Sequence, residues 1–320
     1  MGRIVLACVF LGACGFRPSA GTSTDARDAP GLDGDAPGTG SDGAMLTCMQ
    51  RWYAKSPRFT APVPLANVNS TSYDRDPYVT SDELTFYVST SRGTSDGTSE
   101  IYSATRATPG DPFGTPALVP QLSPAGVSET KVSMTQNQLY AIVGSTKSGG
   151  AGGVDAWETM RGTVTGTFGA LGRGHLMMVD TAANDHDPFV CHDGLHIYLA
   201  PDAPVQHIVV ATRANTGANF PAPVPIVEIT DPAGDADPAL SLDERVIVFS
   251  SQRGGSGAGA NVWFAVRDMI TGGVFSTPVP VPDINGDGND GDPHLSADGC
   301  TLYFASDRGG DYDVYVATMM

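Results

Sequence analysis

Four segments of the sequence carry two aspartates, one residue apart, directly before a proline. They contain Asp74 and Asp76, Asp185 and Asp187, Asp235 and Asp237, and Asp290 and Asp292. Carboxylates that recur at one position of a repeated unit can gather at a single mouth of the fold, where they attract cations or a basic peptide. Alternatively, each aspartate accepts hydrogen bonds from turn amides, as Asx side chains do. We predict these eight residues as one binding site, an acidic mouth.

A further acidic segment, Asp283 to Gly288, resembles the first half of an EF-hand calcium loop. The oxygen donors of the predicted calcium site are Asp283, Asn285 and Asp287, together with Asn289 directly after the segment. The second half departs from the pattern, because His294 stands where a bidentate glutamate is expected, although Asp290 or Asp292 could supply a carboxylate. Calcium is therefore the one cofactor that the sequence suggests. The alternative is an ordinary Gly/Asp-rich connection.

The acidic pairs belong to five repeats of about 50 residues. Asp-Pro begins at positions 76, 187, 237 and 292, with a degraded copy at Glu129-Thr130, so the steps are 53, 58, 50 and 55 residues. Each repeat contains short apolar runs separated by turn-rich clusters, as at Leu302 to Ala305 and Val314 to Ala317. A period near 50 made of several short strands is typical of propeller blades. The fold class predicted is all-β.

A fourth strand in each repeat begins at a phenylalanine, usually followed three residues later by proline. These phenylalanines are Phe59, Phe113, Phe168, Phe220 and Phe275. Phe59 precedes any complete repeat, while the last repeat ends at Met320 without a fourth strand of its own. We therefore predict a five-bladed propeller of four-stranded blades over residues 59–320, closed by the N-terminal strand pairing with the last blade, and favour it over six blades. Residues 45–58 form a lead-in with one short helix between Met45 and Lys55.

The fifth repeat resembles a known family. It reads Asp-Pro-His-Leu-Ser-Ala-Asp-Gly from Asp292, Leu-Tyr-Phe-Ala-Ser-Asp-Arg-Gly-Gly from Leu302, and Asp-Val-Tyr-Val-Ala from Asp313. These motifs are similar to the Asp-Pro repeat of TolB-type, WD40-like propellers, over roughly Phe59 to Met320. The resemblance implies a bacterial envelope propeller that binds something, usually another protein.

The N-terminus carries a lipoprotein-like signal. Arg3 precedes an apolar run, Ile4 to Leu11, that is too short to span a bilayer. Leu11-Gly12-Ala13-Cys14 resembles the bacterial lipobox, which implies a signal peptide over residues 1–13 and acylation of Cys14. Since glycine follows the cysteine, the resemblance implies an outer-membrane lipoprotein, facing the periplasm or the surface. The alternative is an ordinary signal peptide with an incidental cysteine. Residues 14–44 predict a disordered acidic tether.

Three further cysteines follow. Cys48 lies upstream of the closing strand and Cys300 in the blade that this strand completes, so we hypothesise a Cys48–Cys300 disulfide. Cys191 is predicted to be a buried structural thiol. His192 and His196 lie in a hairpin and a strand rather than on a helix, and are not expected to converge as zinc ligands.

The charge and the missing motifs narrow the function. A net charge of -17 excludes a protein that grips nucleic acid, and the membrane is reached only through the lipid anchor. The sequence contains no phosphate loop and no Cys-x-x-Cys pair. We predict a non-enzymatic scaffold that binds an envelope protein or basic peptide. The alternative is a carbohydrate-binding or glycoside-acting five-bladed propeller, which requires two carboxylates facing one pocket.

Overall fold

The computed structural model describes residues 46–94, 97–202, 204–254, 259–269 and 273–320. They form one short helix and five antiparallel sheets arranged as blades around a central channel. The predicted five-bladed β-propeller is confirmed. The signal peptide, the tether and Cys14 lie outside the described residues. No helix among the described residues is long and apolar enough to cross a membrane.

The innermost strand of every blade begins at an acidic residue. These strands are β2 Asp74–Val79, β6 Glu129–Met134, β9 Asp185–Val190, β13 Asp235–Leu240 and β17 Asp290–Leu295. The Asp-Pro pairs thus lie within the innermost strands and not before them. The second strands are almost fully buried, because each blade is covered by a neighbour on both faces. They are β3 Thr85–Thr90, β7 Tyr140–Ser145, β10 His196–Pro201, β14 Val246–Ser251 and β18 Thr301–Ser306.

The outer half of each blade is less regular. The third strands are β4 Glu100–Thr105, β8 Asp155–Met160, β11 Val209–Thr212, β15 Asn261–Val266 and β19 Asp313–Thr318. The fourth strands are β1 Val63–Pro64, β5 Ala117–Leu118, β12 Val224–Pro225 and β16 Val279–Pro280. In the second blade the fourth strand is reduced to a bridge between Glu158 and Gly172. Edge strands this short are a common way to leave little unpaired backbone.

The ring closes between the two ends of the described chain. In β1, Val63 pairs with Val316 and Pro64 with Tyr315 of β19, and Phe59 forms a bridge with Met319. The fifth blade is therefore built from three C-terminal strands and one N-terminal strand, as predicted. The fourth strands begin about four residues after the phenylalanines, which was not expected.

The recurrent phenylalanines instead pack against arginines, in a repeated arrangement of one arginine, one phenylalanine and one hairpin carbonyl that is called here a staple. After the third strand of the first four blades an arginine donates from Nε to a hairpin carbonyl, at 2.6–2.8 Å, and its guanidinium lies 4.3–4.6 Å from the centre of the phenylalanine ring. The pairs are Arg106 with Phe113, Arg161 with Phe168, Arg213 with Phe220, and Arg267 with Phe275. Each staple combines a charge-assisted hydrogen bond with a cation–π contact.

The fifth blade has Met319 where the others have arginine, and the helix supplies the substitute. Helix α1, Cys48–Tyr53, begins at a capping box formed by Thr47 and Gln50. Its Trp52 is fully buried, donates from Nε1 to the Gly299 carbonyl at 2.9 Å and packs on Phe59, with ring centres 5.6 Å apart. The indole thus reproduces both contacts of the missing arginine.

A disulfide joins this helix to the fifth blade. Cys48 at the start of α1 is bonded to Cys300, next to the Gly299 carbonyl, with Cα atoms 5.1 Å apart. The pair is the one hypothesised from the sequence. Cys191 is a buried free thiol. Because the disulfide links positions 252 residues apart, it fastens the lead-in to the far end of the chain.

Candidate functional site

The first aspartate of each Asp-x-Asp-Pro segment is part of the scaffold. These four side chains are fully or almost fully buried, and each accepts the amide N–H of the residue four positions earlier at 2.6–2.7 Å. They are Asp74, Asp185, Asp235 and Asp290. Three of them also pair with an arginine in the turn after the second strand of the same blade, in the pairs Arg92–Asp74, Arg253–Asp235 and Arg308–Asp290. This is the turn-amide role stated above as the alternative.

The second aspartate of each segment lies two residues further along the innermost strand, at a β-bulge. The register of every innermost strand shifts around this position, and the aspartate adopts a left-handed backbone with φ between 49° and 55°. These residues, called here the inner aspartates, are Asp76, Asp187, Asp237 and Asp292. Positive φ is uncommon outside glycine, and bulges are known to redirect side chains next to functional sites. All four inner aspartates line one cavity, with 2–9 % of each residue exposed.

Lys131 holds the fifth inner position. Because β6 begins at Glu129 as β2 begins at Asp74, Lys131 is the counterpart of Asp76. This corrects the predicted alignment, which matched Glu129 to the Asp-Pro aspartate. Lys131 is fully buried and donates from Nζ to the Pro238 carbonyl at 3.1 Å. The five inner positions of the innermost strands therefore carry four aspartates and one lysine. Sequence reasoning missed the lysine, and the two-residue offset of the acidic strand start was the available signal.

Burial moves the pKa values of the inner aspartates apart. Burial and the neighbouring Asp237 charge raise the pKa of Asp187 well above its usual range. Burial alone would also raise the pKa of Asp237, but the hydrogen bond from Asp187 and the nearby charge of Lys131 outweigh it, so this pKa is lowered. One proton is therefore held on Asp187 while Asp237 stays ionised, as in other close carboxyl pairs.

The remaining two inner aspartates differ in their partners. Burial and the charge of Asp292 raise the pKa of Asp76 to about 8. Burial also raises the pKa of Asp292, against the opposing charge of Arg75, whose Nε lies 3.1 Å from Asp292 Oδ2. One carboxylate oxygen each from Asp76, Asp187 and Asp292 lie within 4.8 Å of one another. At neutral pH the channel thus combines protonated and ionised carboxyl groups in one small volume.

The cavity above these groups has a volume of about 640 Å³, within the range of small-molecule sites. Its rim carries Tyr73 and Tyr312, with ring centres 6.3 Å apart, and the Arg75 guanidinium lies 4.3 Å from the centre of the Tyr312 ring. Side chains with hydroxyl, amide or imidazole groups supply most of the other polar lining, namely Ser89, Ser99, Thr130, His186, Gln206, Ser250, Ser251, Gln252 and Asn289. The cavity is suited to a ligand with many hydroxyl groups.

Three of the four predicted calcium ligands are already hydrogen-bonded to other groups of the protein. Asp283 pairs with Arg58 at 2.6 Å and accepts the Phe59 amide, while Asn285 exchanges hydrogen bonds with the Val262 backbone. In the same segment, Asn289 accepts the Ala260 amide and donates to Asp307. Asp287 makes no hydrogen bond or ion pair in the part of the chain that the structure describes. The segment is placed as a connection between the fourth and fifth blades, and calcium binding here stays a prediction.

Glu129, which begins the innermost strand of the second blade, is expected to make the stability of the fold depend on pH. Glu129 is fully buried and accepts one hydrogen bond from Ser145, while its Oε2 has no hydrogen-bond partner among the described residues. Burial raises its pKa to about 8. Because the pKa is higher in the folded than in the unfolded chain, this group lowers stability as pH rises from about 4.5 to 8. We expect Glu129→Gln to stabilise the fold by about 1–3 kcal/mol at pH 9 and by little at pH 5.

Urea unfolding of both proteins at the two pH values measures this difference. The matched control is Glu228→Gln, which changes an exposed glutamate. An equal gain for Glu129→Gln at pH 5 and pH 9 would contradict the assignment of a buried, neutral carboxyl group.

Comparisons with known proteins support the fold. No family model matches the sequence, and no curated protein matches it. Among solved structures, the chain is similar to TolB from Acinetobacter baumannii, at 15 % identity and a TM-score of 0.50, over 79 % of this chain and 56 % of that one. The chain thus spans a little over half of the length of that TolB.

Two further matches extend over nearly the whole partner. One is the α-L-arabinofuranosidase from Podospora anserina in complex with cellotriose, at 12 % identity and a TM-score of 0.56, over 82 % of this chain and 97 % of that one. The other is an endo-arabinase from Bacteroides thetaiotaomicron, at 13 % identity and a TM-score of 0.55, with the same coverage of 82 % and 97 %. At these identities the likeness shows the fold alone.

The predicted non-enzymatic scaffold is contradicted by these two matches, because both propellers are glycoside-acting enzymes by name. The names describe those proteins, and a glycoside-acting role for this chain, the alternative given above, is a proposal. The scaffold prediction was wrong, and it had treated all eight aspartates as one acidic mouth that attracts cations or a basic peptide. In the channel, four of them are nearly buried with divergent pKa values, an arrangement suited to proton transfer.

Proposed function

We propose that the chain is a glycoside hydrolase whose active site is the cavity above the inner aspartates. The observation that carries the proposal is the convergence of four nearly buried aspartates on one polar cavity, where burial and neighbouring charges move their pKa values apart. Glycoside hydrolysis uses two carboxyl groups, one protonated and one ionised, on either side of the bond to be cleaved. The channel supplies both states at neutral pH.

Asp76 is the proposed general acid. Its pKa of about 8 keeps it protonated at neutral pH yet close enough to neutrality for efficient proton transfer. Its carboxyl group donates a proton to the glycosidic oxygen as the bond from that oxygen to the anomeric carbon breaks. The electron pair of the bond stays on the departing oxygen, which leaves as a hydroxyl group.

Asp237 is the proposed general base. The hydrogen bond from Asp187 and the charge of Lys131 keep it ionised, and Ser250 and the Asp292 amide donate to its Oδ2 and fix its orientation. It removes a proton from a water molecule whose oxygen bonds to the anomeric carbon. Solvent then returns the proton from Asp237 to Asp76, which restores both groups.

The rim supports a carbohydrate substrate. Sugars present hydroxyl groups to polar side chains and apolar C–H faces to aromatic rings, and Tyr73 and Tyr312 provide such rings beside the cavity. The names of the matched propellers, an α-L-arabinofuranosidase and an endo-arabinase, suggest arabinose-containing polysaccharides as the substrate class.

Incubation of the full chain with arabinan, arabinoxylan and xylan, followed by measurement of released reducing ends, tests the proposal. We expect release from at least one of them by the wild type and none by an Asp76→Asn/Asp237→Asn double variant. In calorimetry the double variant should still bind the intact glycan that the wild type cleaves, since Tyr73 and Tyr312 are unchanged. If the wild type neither cleaves nor binds any glycan of the panel, the proposal is rejected.

The location of the protein is a separate proposal. We infer an outer-membrane lipoprotein acylated at Cys14, supported by the lipobox-like Leu11-Gly12-Ala13-Cys14 and by the TolB-type repeats. A tether over residues 14–44 would hold the propeller away from the membrane. Such a location places the cavity where extracellular or periplasmic glycans arrive. Metabolic labelling with a palmitate analogue, lost in Cys14→Ala, tests the anchor.

A further inference from the structure

A second cluster of reactive side chains lies at the other end of the channel strands. The innermost strands begin at the cavity and end, six residues or about 20 Å later, at the hairpins to the second strands. Cys191 lies in the turn between β9 and β10, His196 is the first residue of β10, and Glu244 lies in the turn between β13 and β14. The cluster therefore joins the third and fourth blades.

The three side chains converge. The Cys191 sulfur, one ring nitrogen of His196 and one carboxylate oxygen of Glu244 all lie within 4.8 Å of one another. His196 Nδ1 and Glu244 Oε2 are 3.1 Å apart. Cys191 is fully buried and Glu244 is 3 % exposed, so the group is shielded from solvent. Two of the donors come from one blade and the third from its neighbour.

Two of the donor atoms have each other as their close partner. His196 Nδ1 and Glu244 Oε2 are both buried and contact each other across the two blades, and neither has a further hydrogen-bond partner among the residues that the structure describes. Two buried donor atoms with so few protein partners are available to a shared ion. Arg267 lies 3.6 Å from Glu244 Oε2, where it balances charge, while its Nε is bonded to the Glu244 backbone carbonyl.

Two other groups bring three donor atoms together among the residues that the structure describes, and they differ from this one in the kind of donor. Each has an arginine nearby, as Glu244 has Arg267: Arg173 pairs with Asp180 and approaches Asp155 in the cluster formed with Asp185, and Arg75 pairs with Asp292 in the channel. Both of those groups, however, are made of carboxylates alone, which prefer hard ions. A thiol, an imidazole and a carboxylate instead match the ligand set of a borderline-soft divalent metal.

We propose that Cys191, His196 and Glu244 bind one Zn²⁺ or a similar divalent transition-metal ion, which fastens the hairpins of the third and fourth blades to each other. On binding, the Cys191 thiol releases its proton to solvent and its sulfur bonds to the metal. Imidazole Nδ1 and carboxylate Oε2 complete a three-residue set that leaves one coordination position for water. The site is independent of the proposed glycoside hydrolysis, since it lies at the opposite end of the strands.

Titration of the tag-free full chain with Co²⁺ as a spectroscopic probe for the Zn²⁺ site tests the proposal. We expect one equivalent to bind and to produce a thiolate-to-cobalt charge-transfer band. Cys191→Ser should abolish the band, and both this variant and Glu244→Gln should weaken binding beyond the roughly 10- to 100-fold typical of losing an outer-shell partner. Cys8 and Cys14 remain in every variant, so any difference belongs to Cys191.

The matched control is His192→Gln, which removes a histidine of the same hairpin that is outside the converging group. It should bind Co²⁺ like the wild type. Because Cys191 is buried, its replacement can impair folding, so His196→Gln, at a side chain that is 19 % exposed, is measured in parallel and should also weaken binding. Absence of the charge-transfer band in the wild type, or its persistence in Cys191→Ser, would overturn the proposal.

Discussion

Replacing Asp76 with asparagine is expected to lower kcat/KM for a glycan substrate about 10²- to 10⁴-fold, the usual contribution of a general acid. The amide cannot donate a proton to the leaving oxygen, whereas it preserves the size of the side chain in its bulge. The wild-type kcat/KM should fall above about pH 8, because Asp76 must be protonated and its pKa is about 8. It should stay level down through mildly acidic pH, because Asp237, with its lowered pKa, remains ionised there.

Steady-state hydrolysis measured between pH 4 and pH 10 checks both expectations. The control is Asp268→Asn, which changes an exposed aspartate that does not line the cavity and should leave kcat/KM unchanged. Activity of Asp76→Asn equal to that of the wild type, with the same decline above pH 8, would show that another group donates the proton.

The Cys48→Ser/Cys300→Ser double variant is expected to lose about 2–5 kcal/mol of unfolding free energy, or roughly 4–20 °C in Tm. The disulfide closes a span of 252 residues, so its removal frees much of the unfolded chain. It also releases α1, which carries Trp52 into the staple position of the fifth blade. Both effects act on the blade that closes the ring.

Thermal unfolding with and without dithiothreitol measures this contribution. Reductant should lower the Tm of the wild type to that of the double variant and leave the variant itself unchanged, which controls for any general effect of the reagent. A reduced wild type that unfolds at its original temperature would show that closure depends on β1 pairing and Trp52 packing alone.

Much of the fold follows from counting repeats. Phe59 before the first complete repeat and Met320 at the end of an incomplete one predict a ring closed by its two ends, and β1 pairs with β19 as this requires. The phenylalanines were predicted to begin the fourth strands, whereas they lie about four residues earlier and pack against arginines. The sequence does not distinguish these two positions, because a recurrent phenylalanine just before an edge strand fits both. The role of Trp52 could not be predicted from the repeats, since it lies in a helix outside them.

The site was predicted only in part. The Asp-Pro repeats point to the channel, but they do not separate Asp74, which is bonded to turn amides and Arg92, from Asp76, which faces the cavity. That difference arises from the bulge and the positive φ at Asp76, which strand pairing determines. Lys131 and the convergence of Cys191 with Glu244 depend on contacts between blades, and one repeat read alone does not contain them.

The measurement that tests the central claim most directly is hydrolysis of a glycan substrate at pH 6 by the wild-type chain and by the Asp76→Asn/Asp237→Asn double variant, with both folds verified by circular dichroism. We predict steady release of reducing ends by the wild type and loss of at least about 10⁴-fold of this rate in the variant. Equal rates for the two proteins would contradict acid–base catalysis by the inner aspartates.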